Sequence, residues 1–315
     1  MKGLRAVWLL FCLTLSVFIG CPQALQADEQ AAELLYQNRA LTSWLQDFSY
    51  GYGYNPNAVY ETPDHIKWRK EKQDAAEVAI QAIGAKALPV LLDRLAIPAG
   101  PPVAEQSQKA TFDQFAKNYG TTRGFAALGA KAEPAIPDLI QLLAPAYDAA
   151  HRSGSEPGAQ LQEWQSYTTG SILRGMGEAA VQSLIEALLN SKDVKIRFGA
   201  AMALEYHQRA KEVIPSLIKA LDDDDKDVRW RAVRSLGDLR QMPEIAVPAI
   251  ARRMTDDPEV NVRLYAISAL TKFGAEAAPA IPALYKATQD PDPYVFSEVQ
   301  KALKEIKAAA NLKPD

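Results

Sequence analysis

Val228-Arg229-Trp230-Arg231-Ala232-Val233-Arg234-Ser235-Leu236 is the stretch on which the reading of this chain turns. Val228, Ala232, Val233 and Leu236 stand at offsets 0, +4, +5 and +8, one face of an α-helix. The same offsets recur upstream at Ile196, Ala200, Ala201 and Leu204, and downstream at Val262, Ala266, Ile267 and Leu270. The starting residues are 32 and 34 residues apart, and Val295, Val299 and Leu303 continue the series 33 residues later, with Gln300 the one polar intrusion. Self-similarity at such a period is the mark of a repeat architecture.

A second pattern follows each of these helices. Ile214-Pro215-x-Leu217-Ile218-x-x-Leu221 is matched by Val247-Pro248, Ile281-Pro282 and, upstream, Leu88-Pro89 and Ile136-Pro137; Val181-Gln182 matches without the proline. Proline suits a first helical turn, where its missing N–H has no partner to lose. Each unit is therefore helix, turn, helix. Six such pairs are expected from about Ala75 to Asp290, then a single helix from Tyr294 to about Ala310, whose Lys301, Lys304, Glu305 and Lys307 give it the look of a polar cap. One pair cannot bury its apolar face alone, but stacked pairs can, so the expected fold is all-α, an elongated α-solenoid.

The Asp-rich turns, the Val-Arg steps and the Ala-x-Pro-x-Leu segments resemble HEAT repeats of bacterial proteins over about three quarters of the chain. The resemblance implies an architecture and not a reaction. It further implies that the second helices line a concave, partner-binding face. The lead-in, with Leu41, Trp44-Leu45 and Ala82 to Pro89, is similar to that of exported bacterial HEAT proteins.

The opening residues fit that export. Lys2 and Arg5 precede an apolar run, Ala6 to Gly20, which is too short to span a bilayer and reads as a secretion signal. Cleavage is expected either after Ala27 or at a lipobox-like Phe18-Ile19-Gly20-Cys21, where Cys21 would carry a lipid. No second stretch is expected to cross a membrane. The organisation is then a signal over 1–27, a helical lead-in over 28–74, repeats over 75–310 and a tail over 311–315. The expected location is outside the cytoplasm: the periplasm, a membrane through a lipid on Cys21, or the medium by secretion. Both cysteines, Cys12 and Cys21, lie in or beside the signal, so the body forms no disulfide and depends on packing.

Removing Lys2 and Arg5 leaves 33 basic against 38 acidic side chains, a net of −5 against −3 for the whole chain. That balance argues against general nucleic-acid binding, which needs a basic surface. His65, His151 and His207 show no metal-ligand spacing, and the His-Glu dipeptides that hold iron in HEAT-like hydroxylases are absent from the sequence. Bilin-attaching lyases with HEAT-like repeats work on a cytoplasmic antenna, which conflicts with export. No cofactor or catalytic residue is expected. His207 stands where Leu239, Phe273 and Ile306 stand in later repeats and reads as an edge of the core.

Asp222 to Asp225, Asp256-Asp257 and Asp290 to Asp292 fall where one pair hands over to the next. Clustered carboxylates can hold calcium. The favoured reading is that they cap helix starts and pair with Arg197, Arg229 and Arg263, which follow the first apolar position of successive repeats. The candidate partner-binding residues are Lys219, Arg252, Arg253 and Lys286, outward on neighbouring second helices and all expected to face solvent, together with Tyr50, Tyr52 and Tyr54 in a Gly- and Tyr-rich loop from Phe48 to Pro63. Loops are also expected over Ile97 to Gln108 and Pro145 to Gly158. The expected partner is a protein or peptide, and the expected role is that of a non-catalytic binding scaffold. An enzyme with a loop-built site, or a purely structural envelope component, is the alternative.

Overall fold

The computed structural model describes residues 34–48, 63–95, 108–151, 159–205, 207 and 210–312. The signal with Cys21, and Tyr50, Tyr52 and Tyr54, lie outside the described residues. The described chain divides into two compact units, one up to Ala132 and one from Glu133 onward.

The first unit opens on a hairpin that the sequence reading missed. Strand β1 (Leu35–Tyr36) pairs antiparallel with β2 (Arg39–Ala40) around Gln37 and Asn38, with φ of 51° and 60°. Left-handed geometry at both turn residues is what a two-residue hairpin demands, and Asn tolerates it well. Helix α1 (Leu41–Asp47) then buries Leu41, Trp44 and Leu45. It packs against α2 (Pro63–Ile83) and α4 (Gln108–Leu128), while α3 (Leu88–Leu95) also covers α4. The run Pro63–Leu95 does have the length and hydropathy to cross a bilayer, contrary to the expectation above. It is broken at Gly84, where φ is +68°, and Ala76, Ala79, Ile80, Leu88 and Leu91 are buried in this unit.

The second unit is the repeat stack. It runs α5 (Ile136–Gln141), α6 (Pro145–His151), α7 (Ala159–Gly175), α8 (Glu178–Asn190), α9 (Val194–Leu204), α10 (Ala210–Ala220), α11 (Lys226–Leu239), α12 (Pro243–Asp256), α13 (Val260–Phe273), α14 (Ile281–Ala287) and α15 (Pro293–Ala309). Helix α6 corrects the loop expected from Pro145: proline stands at its first position, and Tyr147 packs edge-on against Phe198, 5.5 Å between ring centres.

First helices stack on first helices, α9 on α11 on α13 on α15, and second helices on second helices, α8 on α10 and α12 on α14. Val228, Ala232, Val233 and Leu236 are fully buried, as are Val262, Ala266 and Leu270, so the +4, +5, +8 face is the core. His207 is buried too, as its register requires. At the end of α13 the chain turns through Gly274, φ +58°, a left-handed position that a side chain would strain. Arg240 also has a positive φ, 48°, at the end of α11, but in the left-handed helical region that a side chain can adopt, and there the repeat has no glycine.

Between repeats, an arginine ladder holds the register. Arg197 grips Asp223 through two bonds of 2.7 and 2.9 Å, Arg229 grips Asp257 at 2.8 and 3.0 Å, and Arg263 grips Asp290 at 2.8 and 3.0 Å. The remaining Nη1 of each arginine donates to backbone carbonyls of the turn before its own helix, for example Asp223 and Asp224 for Arg229. Each guanidinium therefore ties two successive turns. The same aspartates accept a backbone N–H two residues on, from Asp225, Glu259 and Asp292. Asp193, Asp225 and Asp292 cap the following helices. Burial raises the stakes, because Asp257 has no exposed side-chain surface and Arg229 only 9%.

Candidate binding surface

Four cations stand on the second helices: Lys219 on α10, Arg252 and Arg253 on α12, and Lys286 on α14. Lys219, Arg252 and Lys286 are exposed, as expected. Arg253 is not. Its side chain retains 15% exposure and lies 3.5 Å from the buried carboxylate of Asp257. The i,i+4 spacing that joins the two turns Arg253 inward over its own helix end.

Nor do the cations form an uninterrupted stripe. Arg252 bonds both carboxylate oxygens of Asp222 at 3.0 and 2.9 Å, and Arg253 reaches Asp222 at 3.4 Å. Lys286 lies 3.5 Å from Asp256. In each case the aspartate belongs to the preceding repeat. First-helix arginines reach forward one repeat and second-helix cations reach back one repeat. Lys219 breaks the pattern because the end of the second helix before it, Asn190-Ser191-Lys192, carries no carboxylate. The exposed pair Arg252–Asp222 contributes at most about 1 kcal/mol, so it is readily exchanged for a partner's charge. The Thr255 hydroxyl, with Lys286 adding to it, holds Asp256 below the usual carboxylate range.

A second polar group crosses the first helices. Arg231 pairs with Glu205, the Ser235 hydroxyl donates to the Ala201 carbonyl at 3.0 Å, and Lys272 pairs with Asp238. Burial pushes the Glu205 carboxyl up despite Arg231, and the Asp238 charge adds to that push. Burial opposes ionisation of Asp238 as well, but Lys272 and Arg234 outweigh it and hold Asp238 low. The two carboxyls are thus driven apart, and the group links three repeats through α9, α11 and α13.

Sequence reasoning missed an aromatic row on the first helices. Tyr147, Phe198, Trp230 and Tyr265 follow one another with ring centres 5.5, 5.4 and 4.9 Å apart, the last pair stacked. The Trp230 indole N–H and the Tyr147 hydroxyl both donate to the buried Asp227, at 3.0 and 3.3 Å. Phe198 and Trp230 share the +2 offset, which was the available signal; Tyr265, at +3, hides it.

The family model for HEAT repeats matches residues 181–260 and 247–314. The chain therefore carries HEAT repeats over these residues, and its described residues are all-α apart from one two-stranded hairpin. No curated protein matches it. Among solved structures, an engineered protein is 17% identical at a TM-score of 0.36, covering 86% of this chain and 99% of that one. A chain from the structure in which Kap95p binds RanGDP is 13% identical at a TM-score of 0.42, covering 92% of this chain and 46% of that one. Neither likeness is close enough to carry an argument about function.

Proposed function

We propose that the protein is a non-catalytic, protein-binding scaffold of the bacterial cell envelope, exported by its leader and free in the periplasm or anchored through Cys21. The observation that supports this reading is the register of the second helices. The buried arginine ladder fixes successive repeats, and with them α10, α12 and α14, in register, so Lys219, Arg252 and Lys286 are presented at regular intervals on a preorganised surface. Preorganisation is what a binding face requires, because it removes ordering costs from association. A partner with carboxylates at matching intervals meets Lys219 directly and displaces Asp222 and Asp256 from Arg252 and Lys286. The Tyr50 to Tyr54 segment is a second candidate surface in the same reading.

Exposed single contacts contribute only about 0.2 to 1 kcal/mol each, so one substitution barely registers. Combining Lys219→Glu, Arg252→Glu and Lys286→Glu is expected to weaken capture of the envelope partner by about tenfold and to slow association, most visibly at low salt. Arg253 is left intact because its removal would also disturb buried Asp257. Retention of the same partner at the same affinity and salt dependence by the triple variant would refute this surface as the binding face.

A further inference from the structure

Between α14 and the terminal helix α15 lies an open groove of about 710 Å³. In the three preceding repeats the +5 residue of the first helix, Ala201, Val233 or Ile267, is buried; in α15 it is Gln300, exposed and lining this groove. The position after the first apolar residue, an arginine at 197, 229 and 263, is Phe296 in α15, which is 41% exposed and lines the groove as well. The face that elsewhere receives a second helix is therefore built differently here. It has an aromatic ring where the ladder would grip an aspartate. Towards the other end of α15 the lining carries Lys304 and Lys307 and no carboxylate, with the Lys307 ammonium 2.8 Å from the Tyr285 hydroxyl. Leu312 closes that end with 47% of its surface exposed.

We propose that this groove receives an acidic, amphipathic helix from a partner protein. The helix seats as the second helix of the last repeat, its apolar stripe against Phe296 and its carboxylates against Lys304 and Lys307. Three things carry the choice of occupant: the position, which is filled by a helix in the earlier repeats; the apolar end at Phe296; and a lining whose only charges are positive. Docking of an amphipathic helix into an apolar groove is an established mode of recognition. The proposal rests on the scaffold reading but uses residues separate from the second-helix cations.

The test uses the chain from Asp28 and two synthetic peptides of about 14 residues, roughly four helical turns. Both carry leucines at i, i+3, i+4 and i+7; one is flanked by glutamates and the other by lysines. By fluorescence anisotropy the glutamate peptide should bind and the lysine peptide should not. Lys304→Glu with Lys307→Glu should weaken the glutamate peptide by about tenfold, and Phe296→Ala by about as much. The Lys219, Arg252 and Lys286 triple variant should bind it normally, which separates failure of the groove from failure of the second-helix face. Equal binding of both peptides, or binding unaffected by Phe296→Ala, overturns the proposal. So does a concentration-dependent dimer in sedimentation that Phe296→Glu abolishes, because the groove would then belong to a second copy.

Discussion

Asp257→Ala should destabilise the repeat stack by about 3 to 5 kcal/mol, measured by urea unfolding followed by circular dichroism. The cause is not the attraction lost but the charge left behind. Asp257 is the carboxylate that both Arg229 and Arg253 approach, it accepts the Glu259 backbone N–H, and its side chain has no exposed surface. Without it the Arg229 guanidinium stays buried with only the Asp223 and Asp224 carbonyls to receive its Nη1 protons. Removing both charges, as Arg229→Met with Asp257→Leu, should recover a large part of the loss, since Arg229 is no longer stranded and Arg253 keeps Asp222 as a partner. A single variant that unfolds at the same urea concentration as the parent would mean the ladder carries no stabilising role. Arg252→Ala is the internal contrast: its pair with Asp222 is about half exposed on both sides and should cost under about 1 kcal/mol.

Gly237→Ala is the second large effect, and its sign is informative. In a helix interior alanine is favoured over glycine by about 1 kcal/mol. At this position a Cβ would lie 2.7 Å from the Ala269 Cβ and 2.8 Å from the Ala269 Cα, so α11 and α13 must separate. Ala269 is on the helix backbone and has no flexible end to swing away. Overpacking costs of about 1 to 3 kcal/mol should outweigh the propensity gain and leave a net loss. Ala269→Gly in the same chain should remove the Cβ contact but not the one with the Cα, and so restore only part of the stability. Gly124→Ala in the first unit should be milder, because its close neighbours are the rotatable tips of Leu91 and Leu45. A stabilised Gly237→Ala would show that the two first helices are not in contact here.

The sequence made the repeat legible because every repeat must bury the same face. Val228, Val262 and Val295 declare that face at one spacing, and all three are fully buried. The arginine ladder was legible for the same reason: Arg197, Arg229 and Arg263 hold one register against aspartates that also hold one register. What was hidden depends on contacts across repeats whose rotation the period does not specify. The pairing of Arg252 with Asp222 spans 30 residues and turns on which way two neighbouring second helices face. Arg253 looks like its neighbour in sequence but is drawn inward by Asp257, one turn further along. The aromatic row slips by one position at Tyr265, and the hairpin before α1 is too short for alternation to show, with Asn38 its only signal. The groove announced itself only as Gln300, an apparent blemish in the apolar pattern that marks a face left uncovered in α15.

Hydrogen exchange read by mass spectrometry tests most directly whether the second helices are the face that meets a partner. With a captured protein partner bound, backbone amides of α10, α12 and α14 should exchange more slowly, while those of α9, α11 and α13 should be unchanged, because binding that covers one row of helices leaves the other as it was. Protection confined to the first helices, around the aromatic row of Phe198, Trp230 and Tyr265, would contradict the account and place the binding face on the opposite row.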